Sequence, residues 1–310
     1  MLEKQPVRQI VITESHAGQR VDNFLVSLLK DVPKSYLYRI VRKGEVRVNK
    51  GRISINYRLA VGDTVRLPPI RHFSDEKILK PKPSHQLLEK LKKAICYEDE
   101  NLIIINKPVG LAVHGGSGIS LGLIEALRKM RPQAPFLELV HRLDRDTSGL
   151  LMVAKKRKML LHLHECLKTG NIKKYYFALV AGKWKGGNSV DKPLLKYMLS
   201  GERRVKVDTE GKNALTRFKV VKAHLDFTLL EAHPITGRTH QIRVHCAYNG
   251  NPIIGDQKYG ESSSGGQRLF LHAYKLVIKL PYEPYELIVT APLPQVFNDF
   301  KMIQRKDNAR

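Results

Sequence analysis

No stretch of this 310-residue chain stays apolar for the about 18 residues that a membrane-crossing helix requires. Its start, Met1 to Arg8, has no apolar stretch ahead of a small-residue cleavage site, so a cytoplasmic protein with no membrane partner is expected. Cysteine is scarce. Cys96, Cys166 and Cys246 are widely scattered and include no Cys-x-x-Cys pair, which points to reduced thiols and away from disulfides or a zinc site. The densest group of potential ligands, His162-Leu-His-Glu-Cys166, spaces His162 and His164 two apart on a predicted helix, hence on different faces. No metal is expected. Acidic residues are few, 29 against 54 Lys and Arg, leaving a net charge of +25. Such an excess repels itself unless a polyanion neutralises it, so a nucleic acid is the expected partner.

With 42% hydrophobic residues the chain can bury a sizeable core, and its length suggests a small module beside a larger one. Residues 1–17 read as an N-terminal extension, 18–80 as the small module, 81–95 as a linker and 96–310 as the larger domain. In the module, helices are predicted from Val21 to Lys30 and Lys34 to Lys43, broken at Pro33 and Gly44. Glu45-Val-Arg-Val-Asn49 then alternates like a half-buried strand, and Gly62-Asp63 marks a turn. The run Lys80-Pro81-Lys82-Pro83-Ser84 reads as an exposed connector.

Beyond it, strands are predicted at Leu102–Asn106, Leu150–Ala154, Tyr176–Val180, Leu215–Val221 and Phe227–Ala232, with helices near Leu121–Lys129 and Lys156–Lys168. Several strands follow one another directly, so the fold class is α+β with a mixed, mostly antiparallel sheet.

Two stretches carry candidate chemistry or binding. Leu139 to Ala154 sets Asp144 and Asp146 with His141, Arg142 and Arg145 before an apolar strand, a rigid support for reactive groups. A carboxylate flanked by arginine stays ionised and can act as a nucleophile, but local chemistry leaves Asp144 and Asp146 equal, and a surface salt-bridge turn is the competing reading. A pair of carboxylates also suits a glycoside hydrolase, against which the +25 charge argues. In the module, Arg39, Arg42, Lys43 and Arg47 recur as a basic face that could follow a phosphate backbone. His114-Gly-Gly-Ser-Gly118 lacks the Gly-Lys-Ser/Thr ending of a P-loop and reads as a loop near the site.

The string His141-Arg-Leu-Asp144, followed by Thr147-Ser-Gly149, resembles the signature of the RluA family of pseudouridine synthases. Lys174-Tyr-Tyr176-Phe-Ala-Leu-Val180 and Gly237-Arg-Thr-His-Gln-Ile-Arg243 resemble two further motifs of that family, and Asn106-Lys-Pro-x-Gly110, Gly255-Asp256 and Leu271-His-Ala273 extend the likeness along the chain. Gly18 to Asp63 resembles the S4 RNA-binding domain.

The resemblance implies an isomerase with a pseudouridine synthase fold, in which Asp144 is the catalytic carboxylate, Tyr176 the active-site tyrosine and Arg243 the partner of Asp144. Arg142, Arg145, Lys174, Arg238 and His240 would contact RNA or orient the site. It is closest to the RluC-type branch, acting on 23S ribosomal RNA. The RluD-type branch shares the architecture, and a non-catalytic ribosome-assembly protein of the S4 type is the alternative outside catalysis. The reaction gains and loses no atoms, so no cofactor is expected, and a monomer is expected.

Overall fold

The computed structural model describes residues 6–29, 32–70, 83–115, 121–260 and 268–297. The predicted connector up to Lys82 and Gly116 to Gly118 of the glycine-rich loop lie outside the described residues. The chain divides into two compact units, Met1–Lys82 with Lys156–Lys158, and Pro83–Lys155 with Met159–Arg310.

The first unit has strand β1 (Arg8–Val11), helices α1 (Val21–Leu28) and α2 (Lys34–Arg42), and strands β2 (Arg47–Val48), β3 (Gly51–Arg52) and β4 (Thr64–Leu67), in sheet order β1-β4-β2-β3. Val21, Phe24 and Leu25 form the apolar stripe of α1, Leu37, Ile40 and Val41 that of α2, and both pack on Val48, Val65 and Leu67. Alternation holds after Gly44: Val46 and Val48 are buried, Arg47 and Asn49 exposed. Buried Asp63 ties the following turn, accepting from Ala60 N–H, Asn49 and Tyr57 at 2.8, 2.8 and 3.0 Å. Arg39, Arg42, Lys43 and Arg47 are all exposed.

Two segments differ from expectation. Residues 8–11, read as an extension, pair with β4 from Arg8↔Leu67 to Val11↔Thr64. This edge strand buries little of its own surface and is held by backbone pairing to a distant strand, which no local pattern signals. The expected linker over 81–95 holds helix α3 (His85–Lys93), capped by Ser84 Oγ accepting from Leu87 N–H at 3.2 Å and anchored by buried Leu91. The run of lysine and proline before it masks a one-sided Leu87/Leu88/Leu91 stripe.

The second unit continues with β5 (Ile95–Glu98), β6 (Leu102–Lys107), α4 (Leu123–Met130), β7 (Glu138–Leu139), β8 (Ser148–Ala154), α5 (Arg157–Thr169), β9 (Ile172–Ala181) and β10 (Ser189–Asp191). A two-stranded ribbon, β11 (Leu194–Leu199) with β12 (Glu202–Val207), precedes β13 (Leu215–Ala223), β14 (Phe227–Pro234), α6 (Gln241–Tyr248), β15 (Leu271–Lys279) and β16 (Glu286–Thr290). The main sheet runs β10-β13-β14-β9-β15-β8-β6-β5, with β16 on β15 and β7 on β8. Among the described strands every pairing is antiparallel except β15 with β8. The structure thus has the mixed, mostly antiparallel sheet expected of this fold class.

Helices cover both faces of the central strands. Leu102, Ile104, Leu150 and Met152 join Met159, Leu160 and Leu163 of α5 in one core. Ile103, Ile105, Leu151 and Val153 join Leu123, Ile124 and Leu127 of α4 and Ile242 of α6 in the other. Burial on both sides explains why β6 and β8 read as continuous apolar runs rather than alternating ones.

At the parallel junction Ser148 stands opposite His272 and Gly149 opposite Ala273. Gly149 has φ +113°, and a Cβ there would sit 2.2 Å from the Ala273 carbonyl oxygen. Only glycine allows this approach. Gly149→Ala should therefore cost about 3 kcal/mol, combining backbone strain with a clash that rigid strands cannot relieve. Urea unfolding of the full chain checks this.

Candidate active site

The loop between β7 and β8 carries His141 to Thr147 along the edge of a cleft of about 670 Å³. The cleft is also lined by Lys174 and Tyr176 from β9 and by Pro234 to Arg238 and His240 to Arg243 from the end of β14 into α6. Among the described residues Asp144 is the only carboxylate in its lining. Asp146, equal to it on local chemistry, pairs with its neighbour Arg145 at 3.1 Å, both side chains being largely exposed. The loop is fixed from below by Lys107, fully buried, whose Nζ donates to the carbonyls of Pro108, Leu111 and Arg145 at 3.0, 2.9 and 2.9 Å. Burial pushes this ammonium down to about 7, with Asp146 and Asp144 pulling the other way.

Arg243 is the hub of the site. Its Nε and Nη2 donate to the two oxygens of Asp256 at 2.8 and 2.7 Å, and its Nη1 donates to Asp144 Oδ2 at 2.9 Å. The Asp256 side chain is fully buried and that of Arg243 is 9% exposed, whereas Asp144 retains 27% exposure towards the cleft. Burial works against the Arg243 charge, but the bonds and charges of Asp256 and Asp144 outweigh it and raise its pKa further. The guanidinium also lies over the Tyr259 ring, 5.2 Å from its centre. No recorded hydrogen bond among the described residues ends on Asp144 Oδ1.

The helix that carries Arg243 starts from a strained residue. His240, at φ +53°, caps α6, and Gln241 fixes the turn before it. Gln241 Oε1 accepts from Thr236 Oγ1 at 2.6 Å and from Arg238 N–H at 3.0 Å, while its Nε2 donates to Leu215 O and Thr216 Oγ1, each at 2.9 Å. Arg238 itself reaches Asn213 O through Nε at 3.0 Å. His240 Nε2 stands 3.6 Å from Asp144 Oδ2 and Nδ1 lies 2.7 Å from the Tyr259 hydroxyl.

Tyr176 is buried against the cleft, and burial, reinforced by the charge of Asp144, raises its pKa. His141 accepts Met152 N–H at Nε2, 3.2 Å away, and burial with the nearby charge of Lys174 pushes it down to about 3. It is a neutral acceptor that closes the β7–β8 pairing. Burial lowers the Lys174 pKa as well.

Of the residues picked from sequence, the cleft brings together Asp144, Tyr176, Arg243, Arg142, Lys174, Arg238 and His240. Arg145 does not line it, and Arg39, Arg42, Lys43 and Arg47 belong to the other unit. Sequence reasoning gave no role to Asp256, Tyr259 or Lys107. The adjacent pair Gly255-Asp256 is a visible signal, but which cation it meets depends on tertiary packing.

The sequence matches the family model for RNA pseudouridylate synthases over residues 101–248 and that for the S4 domain over 19–65. It is 51% identical to ribosomal large subunit pseudouridine synthase C of Pasteurella multocida, covering 93% of this chain and 91% of that protein. The chain belongs to the RNA pseudouridylate synthase family. Identity to the Escherichia coli K12 protein of the same name is 50% over 99% of both chains. Among solved structures, human RNA pseudouridylate synthase domain containing 4 aligns at TM-score 0.58 and 29% identity, covering 69% of this chain and 93% of that one. Pseudouridine synthesis, a reaction on RNA, is the activity of this family and of this enzyme. Among the described residues, no helix is long and apolar enough to cross a membrane.

The two partners of Arg243 should differ sharply when neutralised. Asp256→Asn leaves a buried guanidinium half paired and is expected to cost about 3–5 kcal/mol of unfolding free energy. Asp144→Asn, at the open edge of the same network, should cost about 1 kcal/mol or less. Denaturant unfolding of both variants measures the contrast.

Proposed function

We propose that this enzyme isomerises uridines of large-subunit 23S ribosomal RNA, with Asp144 as the catalytic carboxylate acting on a uridine flipped out of its stack. The observation that carries the reading is the position of Asp144, the cleft's carboxylate, with Oδ2 held by Arg243 and Oδ1 uncommitted. A volume of about 670 Å³ suits one extruded nucleotide, and a base still stacked in its helix could not enter the cleft.

The reaction breaks the bond from ribose C1′ to uracil N1, turns the base and joins C1′ to C5, with a proton lost from C5 and one gained at N1. Oδ1 of Asp144, which takes part in no hydrogen bond among the described residues, is free to meet C1′ or its neighbours and can assist cleavage by attack or by taking a ribose proton. Arg243 fixes the direction of that oxygen through its bond to Oδ2. Tyr176 offers a ring on which the uracil can stack. Its raised pKa keeps it a phenol at neutral pH, so any part in removing the C5 proton requires it first to lose its own. Arg142, Lys174 and Arg238 give the cleft a cationic rim suited to the flanking phosphates. The exposed Arg39, Arg42, Lys43 and Arg47 offer a second backbone-binding face on the S4 unit.

The relatives at 50–51% identity are large-subunit pseudouridine synthases C, which favours the RluC-type over the RluD-type assignment. A non-catalytic binder would have no use for a buried guanidinium aimed at a cleft carboxylate. Asp144→Asn should abolish pseudouridine formation while RNA affinity survives, and Asp146→Asn should leave turnover close to that of the unaltered enzyme. Conversion by Asp144→Asn would refute the assignment of the carboxylate. Mapping pseudouridines in ribosomal and transfer RNA from cells without the gene tests the substrate: marks should be lost from 23S RNA.

A further inference from the structure

His240 is placed beside the same carboxylate oxygen that Arg243 holds, yet the chemistry above does not use it. Its Nδ1 lies 2.7 Å from the Tyr259 hydroxyl, and that hydroxyl oxygen already accepts Val205 N–H at 3.1 Å. Two tautomers are open to the imidazole. If Nδ1 carried the hydrogen, it would donate to Tyr259, the phenolic hydrogen would have no recorded acceptor among the described residues, and the Nε2 lone pair would face the lone pairs of Asp144 Oδ2. If Nε2 carries it, the phenol donates to Nδ1, both hydrogens are directed at acceptors, and an N–H faces the carboxylate. The second arrangement pairs the phenol with Nδ1 and turns an N–H towards Asp144 Oδ2, whereas the first leaves two conflicts. The left-handed backbone of His240, rare for a residue with a side chain, holds the ring in this place.

We propose that His240 is a positioning residue for Asp144, its imidazole held in the Nε2–H tautomer by Tyr259 so that this N–H backs Oδ2 and leaves Oδ1 to the substrate. The separation of 3.6 Å is longer than a hydrogen bond, and the contact closes when RNA fills the cleft and excludes water, as catalytic contacts commonly do. The charges that act on the ring are those of Asp144 from the β7–β8 loop, Arg243 from α6, and Asp256 and Lys258 from the segment after α6, where Tyr259 also meets Nδ1. Burial favours the neutral imidazole, Asp144 and Asp256 oppose it, and Arg243 and Lys258 add to burial. The phenol bond to the Nδ1 lone pair also stabilises the neutral form. Loss of that bond therefore raises the imidazole pKa, and a protonated ring competes with Arg243 for Asp144 at higher pH than before.

This inference rests on Asp144 being the catalytic carboxylate, so Asp144→Asn is measured alongside. The experiment is single-turnover conversion of an unmodified 23S RNA transcript by the full chain across pH, with RNA affinity measured separately. His240→Leu should slow conversion by about ten- to a hundredfold with RNA affinity unchanged, the range expected for losing one hydrogen bond to a charged group. His240→Gln, which restores an N–H donor that does not titrate, should recover most of the rate. Tyr259→Phe should move the acid limb of the rate profile to higher pH, and should leave it unmoved in the His240→Gln background. A His240→Leu enzyme with full rate, or with weakened RNA binding and unchanged rate, would overturn the proposal, as would a Tyr259→Phe shift that persists without the imidazole. Conversion by Asp144→Asn would instead overturn the reading of the carboxylate itself.

Discussion

The site depends on one guanidinium that is asked to make three directed bonds at once. Arg243 spends two donors on Asp256, which is fully enclosed, and one on Asp144, which is not. A planar fork can do this because its donors point in fixed directions, whereas a lysine ammonium on a flexible stem cannot hold two carboxylates in set orientations. The buried member anchors the charge and the open member inherits its direction. Burying such a charge is costly unless it is paired, and here each of the three guanidinium nitrogens donates to a carboxylate while the face of Tyr259 adds a further contact.

The sheet delivers the other groups to this charge. Tyr176 stands opposite Ala232 of β14 on one side and Ala273 of β15 on the other, and Ala273 is in turn opposite Gly149 of β8. One row of register positions therefore crosses four strands. Asp144 lies a few residues before that row on β8, and the Thr236–Arg243 turn a few residues after it on β14. The parallel step at Gly149 is what lets β8 enter the sheet with its preceding loop at the cleft. Lys107 holds that loop through Arg145 O, so the backbone around Asp144 is fixed independently of its side chain.

Much of this architecture is legible in the chain. Helix α2 is predicted from Lys34 to within one residue of its end, and the apolar runs at 102–106 and 150–154 mark strands that both helical layers cover. The cluster around Asp144 is visible as chemistry, and family resemblance is what separates Asp144 from Asp146. What stays hidden is what arises between distant segments. β1 owes its existence to pairing with residues more than fifty positions away, and the role of Asp256 appears only when α6 and the following loop fold back on each other. Local propensity carries neither fact. His240 is similar: its motif is readable, but its tautomer follows from Tyr259 and Val205 together.

The geometry of the fork, rather than its charge alone, orients Asp144. Arg243→Lys keeps the charge and removes the fork, and its rate of single-turnover conversion on 23S RNA is the direct measurement. A fall of about a hundred- to a thousandfold, with RNA affinity preserved, is the predicted result. A lysine enzyme that converts its substrate at nearly the original rate would contradict the claim that the three directed bonds of Arg243 organise this site.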